Sequence, residues 1–81
     1  VVVFPGGFGT LDEMFEALTL IQTKRMEPIP IILFSESFWR GIIDFGALAD
    51  FGTIAPEDLS LFNFVETAED AWKVVSEFYG L

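Results

Sequence analysis

The sequence contains no cysteine and no histidine. The first absence excludes a disulfide scaffold, a thiolate nucleophile and a cysteine metal site. The second removes the commonest general base and the commonest metal ligand. Acid–base chemistry must then come from carboxylates, Lys24, Lys73, Tyr79 or the backbone. Basic residues are scarce as well. Lys24, Arg25, Arg40 and Lys73 stand against 13 acids, for a net charge of −9. Nothing resembles the basic stripe that neutralises nucleic-acid phosphates, so no nucleic-acid partner is expected. The acidity also opposes an anionic membrane surface. No apolar run reaches the ~18–20 residues that span a bilayer, and no signal peptide is evident. A cytoplasmic location without a membrane partner is the expectation. Internal repeats and low-complexity tracts are lacking too.

What the chain has in excess is apolar material. Of its 81 residues, 52% are hydrophobic and ten are Phe. A small domain buries only a modest fraction of its surface, so this is more than 81 residues can easily cover. The expectation is a sheet buried on both faces, with further apolar surface meant for the rest of a longer protein, a second subunit, or both. Residue 1 is Val rather than Met, and Val1-Val2-Val3-Phe4 already reads as strand. Chains seldom open inside a buried strand. Residues 1–81 are therefore expected to be a fragment of a longer protein.

The periodicity alternates. Val1–Phe4 and Ile31–Phe34 are short, continuously apolar runs of the kind found in buried parallel strands, and Leu61–Val65 is a third, interrupted only by Asn63. Leu11, Met14, Phe15, Leu18 and Ile21 recur at helical spacing and predict a helix over about 10–24, closed by the cations Lys24 and Arg25. Ser35, Glu36 and Ser37 offer caps for a second helix from Phe38 to about Phe51. Gly41 and Gly46 weaken that helix and predict a kink or close contact, and Gly52 is a plausible stop. Pro56-Glu57-Asp58 reads as a turn or a single helical turn. Thr67-Ala68-Glu69-Asp70 forms a capping box that opens a last helix to about Tyr79, ended by Gly80. Strand and helix alternating three times gives an α/β fold. It is a Rossmann-like parallel sheet with right-handed crossovers, flanked by helices on both faces.

Open α/β sheets bind ligands at the C-terminal ends of their strands. The first such end is Pro5-Gly6-Gly7-Phe8-Gly9-Thr10-Leu11-Asp12-Glu13. Gly6, Gly7 and Gly9 can adopt positive φ and present bare amides. The loop feeds a helix N-terminus, where free N–H groups and the dipole attract an anion, and Thr10 adds a hydroxyl. This is a candidate phosphate cradle. It lacks the Lys-Ser/Thr of a Walker loop and the spacing of the dinucleotide fingerprint. Glu13 lies three residues past Thr10, roughly 5 Å up the helix axis. A phosphate in the cradle would bring a nucleotide's ribose near that carboxylate, which suits an oxocarbenium-like transition state.

Plainer readings stand beside these. Thr10-Leu11-Asp12-Glu13 is itself a capping box, so Glu13 has a structural role open to it. The glycines suit a tight turn. Asp12 reads as a solvated N-terminal acid. Glu16 shares Glu13's face and is either its partner in a carboxylate pair or simply exposed. Lys24 and Arg25 read better as helix terminators than as phosphate ligands. Trp39, Trp72 and the Phe residues read as core or interface.

The nine residues from Pro5 to Glu13 match PGGxGTxxE, and through them the chain resembles the LONELY GUY (LOG) family, whose members often carry the label "lysine decarboxylase". Ala17–Gln22 and the Pro-flanked strand from Pro30 to Phe34 are similar as well, so the resemblance spans essentially the whole chain. It implies a phosphoribohydrolase that cleaves the N-glycosidic bond of nucleoside 5′-monophosphates, releasing free base and ribose 5-phosphate. The base is a cytokinin in plant and some bacterial members, while others act on AMP or on a range of nucleotides. Carried over residue by residue, Gly6, Gly7, Gly9 and Thr10 would hold the 5′-phosphate and Glu13 would be the catalytic carboxylate. No metal or organic cofactor is implied. A homodimer or higher homo-oligomer is. The family's catalytic arginine and a second Gly-rich loop lie upstream of this motif, and Arg25 and Arg40 do not take that arginine's place. The resemblance thus implies that residues 1–81 are the C-terminal half of a single larger domain and are inactive alone. Two other readings follow from the same scaffold. One is a non-catalytic carrier or sensor similar to the molybdenum cofactor carrier proteins. The other is a pyridoxal decarboxylase, disfavoured because neither Lys24 nor Lys73 has a setting for a Schiff base.

Overall fold

The computed structural model describes all 81 residues, Val1–Leu81. Strand β1 (Val2–Val3) leads into helix α1 (Phe8–Gln22), and strand β2 (Ile31–Phe34) into helices α2 (Glu36–Ile42) and α3 (Phe45–Asp50). A 3-10 turn (Pro56–Ser60), strand β3 (Phe62–Val65) and helix α4 (Ala68–Tyr79) complete the chain. The strands form one parallel sheet in the order β1-β2-β3, with Val3 beside Leu33 and Leu33 beside Phe64. This is the α/β Rossmann-like arrangement that the alternating periods predict.

Topology explains where the core sits. Two successive crossovers step in the same direction across the sheet, so right-handed connections place both on one face. That face carries Val3, Ile31 and Leu33, packed with Met14 and Ile21 of α1, Trp39 of α2 and Phe45 of α3. Phe62 and Phe64 extend it on β3 and bring their rings within 4.7 and 6.0 Å of Phe45. Trp39 is fully buried, and its indole Nε1–H donates to the Phe34 carbonyl at 2.9 Å, which resolves its one polar atom. Helix α4 packs on β3 from the opposite face, where Ile32 and Val65 are buried outside the main cluster.

Helices do lie on both faces, but the sheet is not buried on both. Val2 is 50% exposed and Phe4 60%, because α4 covers only the β3 side of its face. Ten residues in all are buried. Phe8, Phe51, Trp72 and Leu81 are among the large apolar side chains left exposed. Trp72 is thus not core.

Several element boundaries differ from the sequence reading, each for a local reason. The helix expected over 38–51 is two helices. The break falls at Ile43, which is extended, and Asp44 then caps α3 by accepting from the Ala47 N–H at 3.0 Å. Glycines 41 and 46 flank this kink, and neither makes a close contact. Gly52 (φ 77°) and Gly80 (φ 71°) follow α3 and α4 in the left-handed region, as helix stops do. Lys24 and Arg25 do not close α1: the helix ends at Gln22, and Lys24 already has φ 59°. Ser35 does not cap α2 with its side chain. It sits at φ 72°, and the Glu66 carboxylate accepts the Glu36 N–H at 3.0 Å instead. At α4 the Thr67 hydroxyl accepts from the Asp70 N–H at 3.1 Å, as the capping box predicts. The reciprocal bond shifts by one residue, to the Glu66 N–H.

Candidate functional site

β1 ends at the sheet's C-terminal edge, and Pro5-Gly6-Gly7 turns the chain directly into α1. The helix begins two residues earlier than its apolar period suggests. Phe8 is its first residue, and the first helical bond runs from the Leu11 N–H to the Gly7 carbonyl at 3.1 Å. The amides of Phe8, Gly9 and Thr10 therefore have no backbone acceptor. No side chain caps them either, since Gly7 occupies the N-cap position. Three adjacent N–H donors, backed by a 15-residue helix dipole, are left open to solvent at the strand end.

This early start removes the plainer reading of Glu13. Thr10 is the third residue of the helix, not its cap, so Thr10 and Glu13 cannot exchange capping bonds. Glu13 is exposed and pairs with no cation. It stands one helical step beyond the open amides, on rigid backbone. Glu16 is likewise exposed and unpaired, as is Asp12.

The glycines differ from expectation and from one another. None of Gly6, Gly7 and Gly9 has positive φ. A Cβ added to Gly7 or Gly9 would meet nothing within 4 Å, whereas one added to Gly6 would run into the Thr10 side chain. The structure thus brings Gly6, Gly7, Gly9, Thr10 and Glu13 together along one loop and two helical turns.

No basic side chain pairs with an acid of this site. Lys24 and Arg25 lie past the far end of α1, about 20 Å along its axis at the usual helical rise. Arg40 is held by Glu36 at 2.6 Å and lies 4.7 Å over the Phe64 ring. Lys73 is exposed on α4. No group of acidic side chains is arranged to hold a metal. Sequence reasoning did miss one neighbour. Phe4 stacks on Phe34 with ring centroids 4.7 Å apart, tying the end of β1 to β2 just before the loop turns. The alternation of side chains along paired strands is the signal that could have placed the two rings on one face.

A concavity of about 110 Å³ opens between α1, α3 and the 3-10 turn. It is lined chiefly by Phe15, Leu18, Phe45, Leu48, Ile54 and Phe62. It is apolar and lies on the flank of α1, not at its N-terminus.

A parallel sheet whose first strand delivers a glycine loop to an uncapped helix N-terminus defines a class: Rossmann-like α/β proteins with a glycine-rich turn at a strand end. Within it, residues 1–75 match the family described as "Possible lysine decarboxylase", and the chain belongs to that LOG-like family. The match takes in the loop, all three strands and most of α4. No curated protein matches the chain significantly. No helix is long and apolar enough to cross a membrane.

Proposed function

We propose that the protein hydrolyses the N-glycosidic bond of nucleoside 5′-monophosphates, with AMP or a cytokinin nucleotide as substrate. The observation that carries this is the conjunction at α1: unpartnered amides at Phe8, Gly9 and Thr10, and a free carboxylate at Glu13 just beyond them. The 5′-phosphate binds at Gly6, Gly7, Gly9 and Thr10, which satisfies the open donors. The ribose then lies along the first turns of the helix, within reach of Glu13.

Glu13 in its ionised form stabilises positive charge as it develops at C1′ and orients the attacking water. Water adds its oxygen to C1′, the C1′–N bond breaks, and the base leaves with the bonding pair and takes up a proton. The products are free base and ribose 5-phosphate. On this reading residues 1–81 supply the phosphate-binding half of one nucleotide domain, and the protein works in the cytoplasm as a homodimer or higher homo-oligomer. The decarboxylase of the family's description fits less well. A pyridoxal enzyme needs a lysine set in a site, and Lys24 and Lys73 are both exposed, Lys24 past the far end of α1.

The test is direct. The intact protein is incubated with AMP and with a cytokinin nucleotide, and free base is followed by chromatography. Release of base that disappears in Glu13→Gln supports the hydrolase. Tight nucleotide binding without release argues for a non-catalytic carrier or sensor.

A further inference from the structure

The three glycines of the loop are not equivalent, and the difference has a chemical consequence. Gly7 and Gly9 have no reason within the chain to be glycine. Neither has positive φ, and a Cβ on either would meet open space. Gly6 also has ordinary φ, so backbone conformation does not require it. Sterics do. A Cβ at Gly6 would strike Thr10 Oγ1 first, then lie 2.9 Å from Thr10 Cβ and 3.3 Å from Thr10 Cγ2. Carbon atoms settle at ~3.5–4.0 Å, so one of the two residues would have to move.

Thr10 has few places to go. It is β-branched and sits inside the first turn of α1, where a threonine side chain is limited to about two staggered positions. Oγ1 is its atom nearest Gly6, so the hydroxyl lies over the loop and not away from it. The hydroxyls of Thr23, Thr53 and Thr67 are engaged with backbone groups, whereas those of Thr10 and Thr19 have no partner in the chain, and of these two only Thr10 lies at the loop. It is an uncommitted donor whose orientation depends on the bare Cα of Gly6.

We infer that Gly6 is a positioning residue: its missing side chain holds the Thr10 hydroxyl over the loop, beside the open amides, while the equally empty spaces at Gly7 and Gly9 are left for the ligand. This rests on the proposed phosphate site. It adds that one glycine shapes the protein and two admit the ligand.

A double-mutant cycle tests it in the intact protein, with AMP affinity from calorimetry and Tm as separate readouts. Gly6→Ala should weaken AMP binding about tenfold or more, the scale of a lost hydrogen bond to a charged group. Thr10→Ala should do the same. The double variant should be no worse than Thr10→Ala within about threefold, because the hydroxyl that a Gly6 side chain would displace is already gone, and only the 2.9 Å approach to the Cβ of residue 10 is left to relax. Losses that simply add, or a Gly6→Ala variant with wild-type affinity, would overturn the inference. Should Gly6→Ala not fold, Thr10→Val serves instead, keeping the shape without the hydroxyl. It should retain the wild-type Tm and lose about tenfold in affinity, and unaltered affinity counts against the inference. If the wild-type protein binds no AMP, the functional reading fails by itself. The Tm cycle then decides this inference alone: destabilisation by Gly6→Ala that Thr10→Ala relieves sustains it, and additive destabilisation ends it.

Discussion

Glu13 is an exposed acid with nothing in the chain to bind, held on the second turn of a helix whose N-terminal amides are equally free. A carboxylate in that position costs the fold little to change. Glu13→Gln should leave Tm within about a degree and AMP affinity nearly intact, while base release falls by about 10²-fold or more. Equal turnover in the variant would remove Glu13 from the chemistry. Gly9 makes the complementary case. A side chain there meets no protein atom, so Gly9→Val should fold normally and bind AMP at least about tenfold more weakly. Unchanged affinity would mean the open amides are not the phosphate site.

At the scale of elements, the connections between strands carry the local stability. Helix α3 has six residues and depends on the Asp44 cap. Asp44→Ala should cost about 1 kcal/mol in urea denaturation without altering nucleotide binding. Trp39 anchors α2 through both its ring and its bond to the Phe34 carbonyl, the last carbonyl of β2. Trp39→Ala should cost about 3–5 kcal/mol, enough to threaten folding outright. The same contrast decides which elements were legible. α1 and α4 have long apolar periods, and the Thr67 cap of α4 lies where the sequence places it. The α2–α3 break was not readable in position, because Gly41 and Gly46 mark a weak stretch while the extended Ile43 between them is fixed by packing against the core. Lys24 and Arg25 misled for a related reason. Their charge suits a helix end, yet α1 stops at Gln22, and the chain turns at Lys24 with φ 59°.

On the scale of the whole molecule, apolar surface outruns what the fold can hide. Val2 and Phe4 remain open on the face that α4 half covers, Phe15 lines an open cavity on α1, and Phe8 and Phe51 are almost fully exposed. A net charge of −9 keeps such a surface from associating at random. The intact protein should accordingly be a defined oligomer, and light scattering at a clean monomer mass would refute that expectation. Mutating Phe15 and Leu48 to Ser on the rim of the cavity should shift the mass downward if the oligomer forms there.

The sequence alone determined the alternation of strands and helices, the parallel sheet and the glycine loop at a strand end. Each follows from local apolar periods and turn residues that neighbouring positions carry with them. It also placed Gly6, Gly7, Gly9, Thr10 and Glu13 in one segment. Tertiary structure decided the rest. It set the start of α1 at Phe8, which frees Glu13 from capping and leaves three amides open. It separated Gly6 from Gly7 and Gly9 by what stands beside each Cα. It stacked Phe4 on Phe34 across two strands. Those outcomes depend on atoms meeting across space, and spacing along a chain cannot report them.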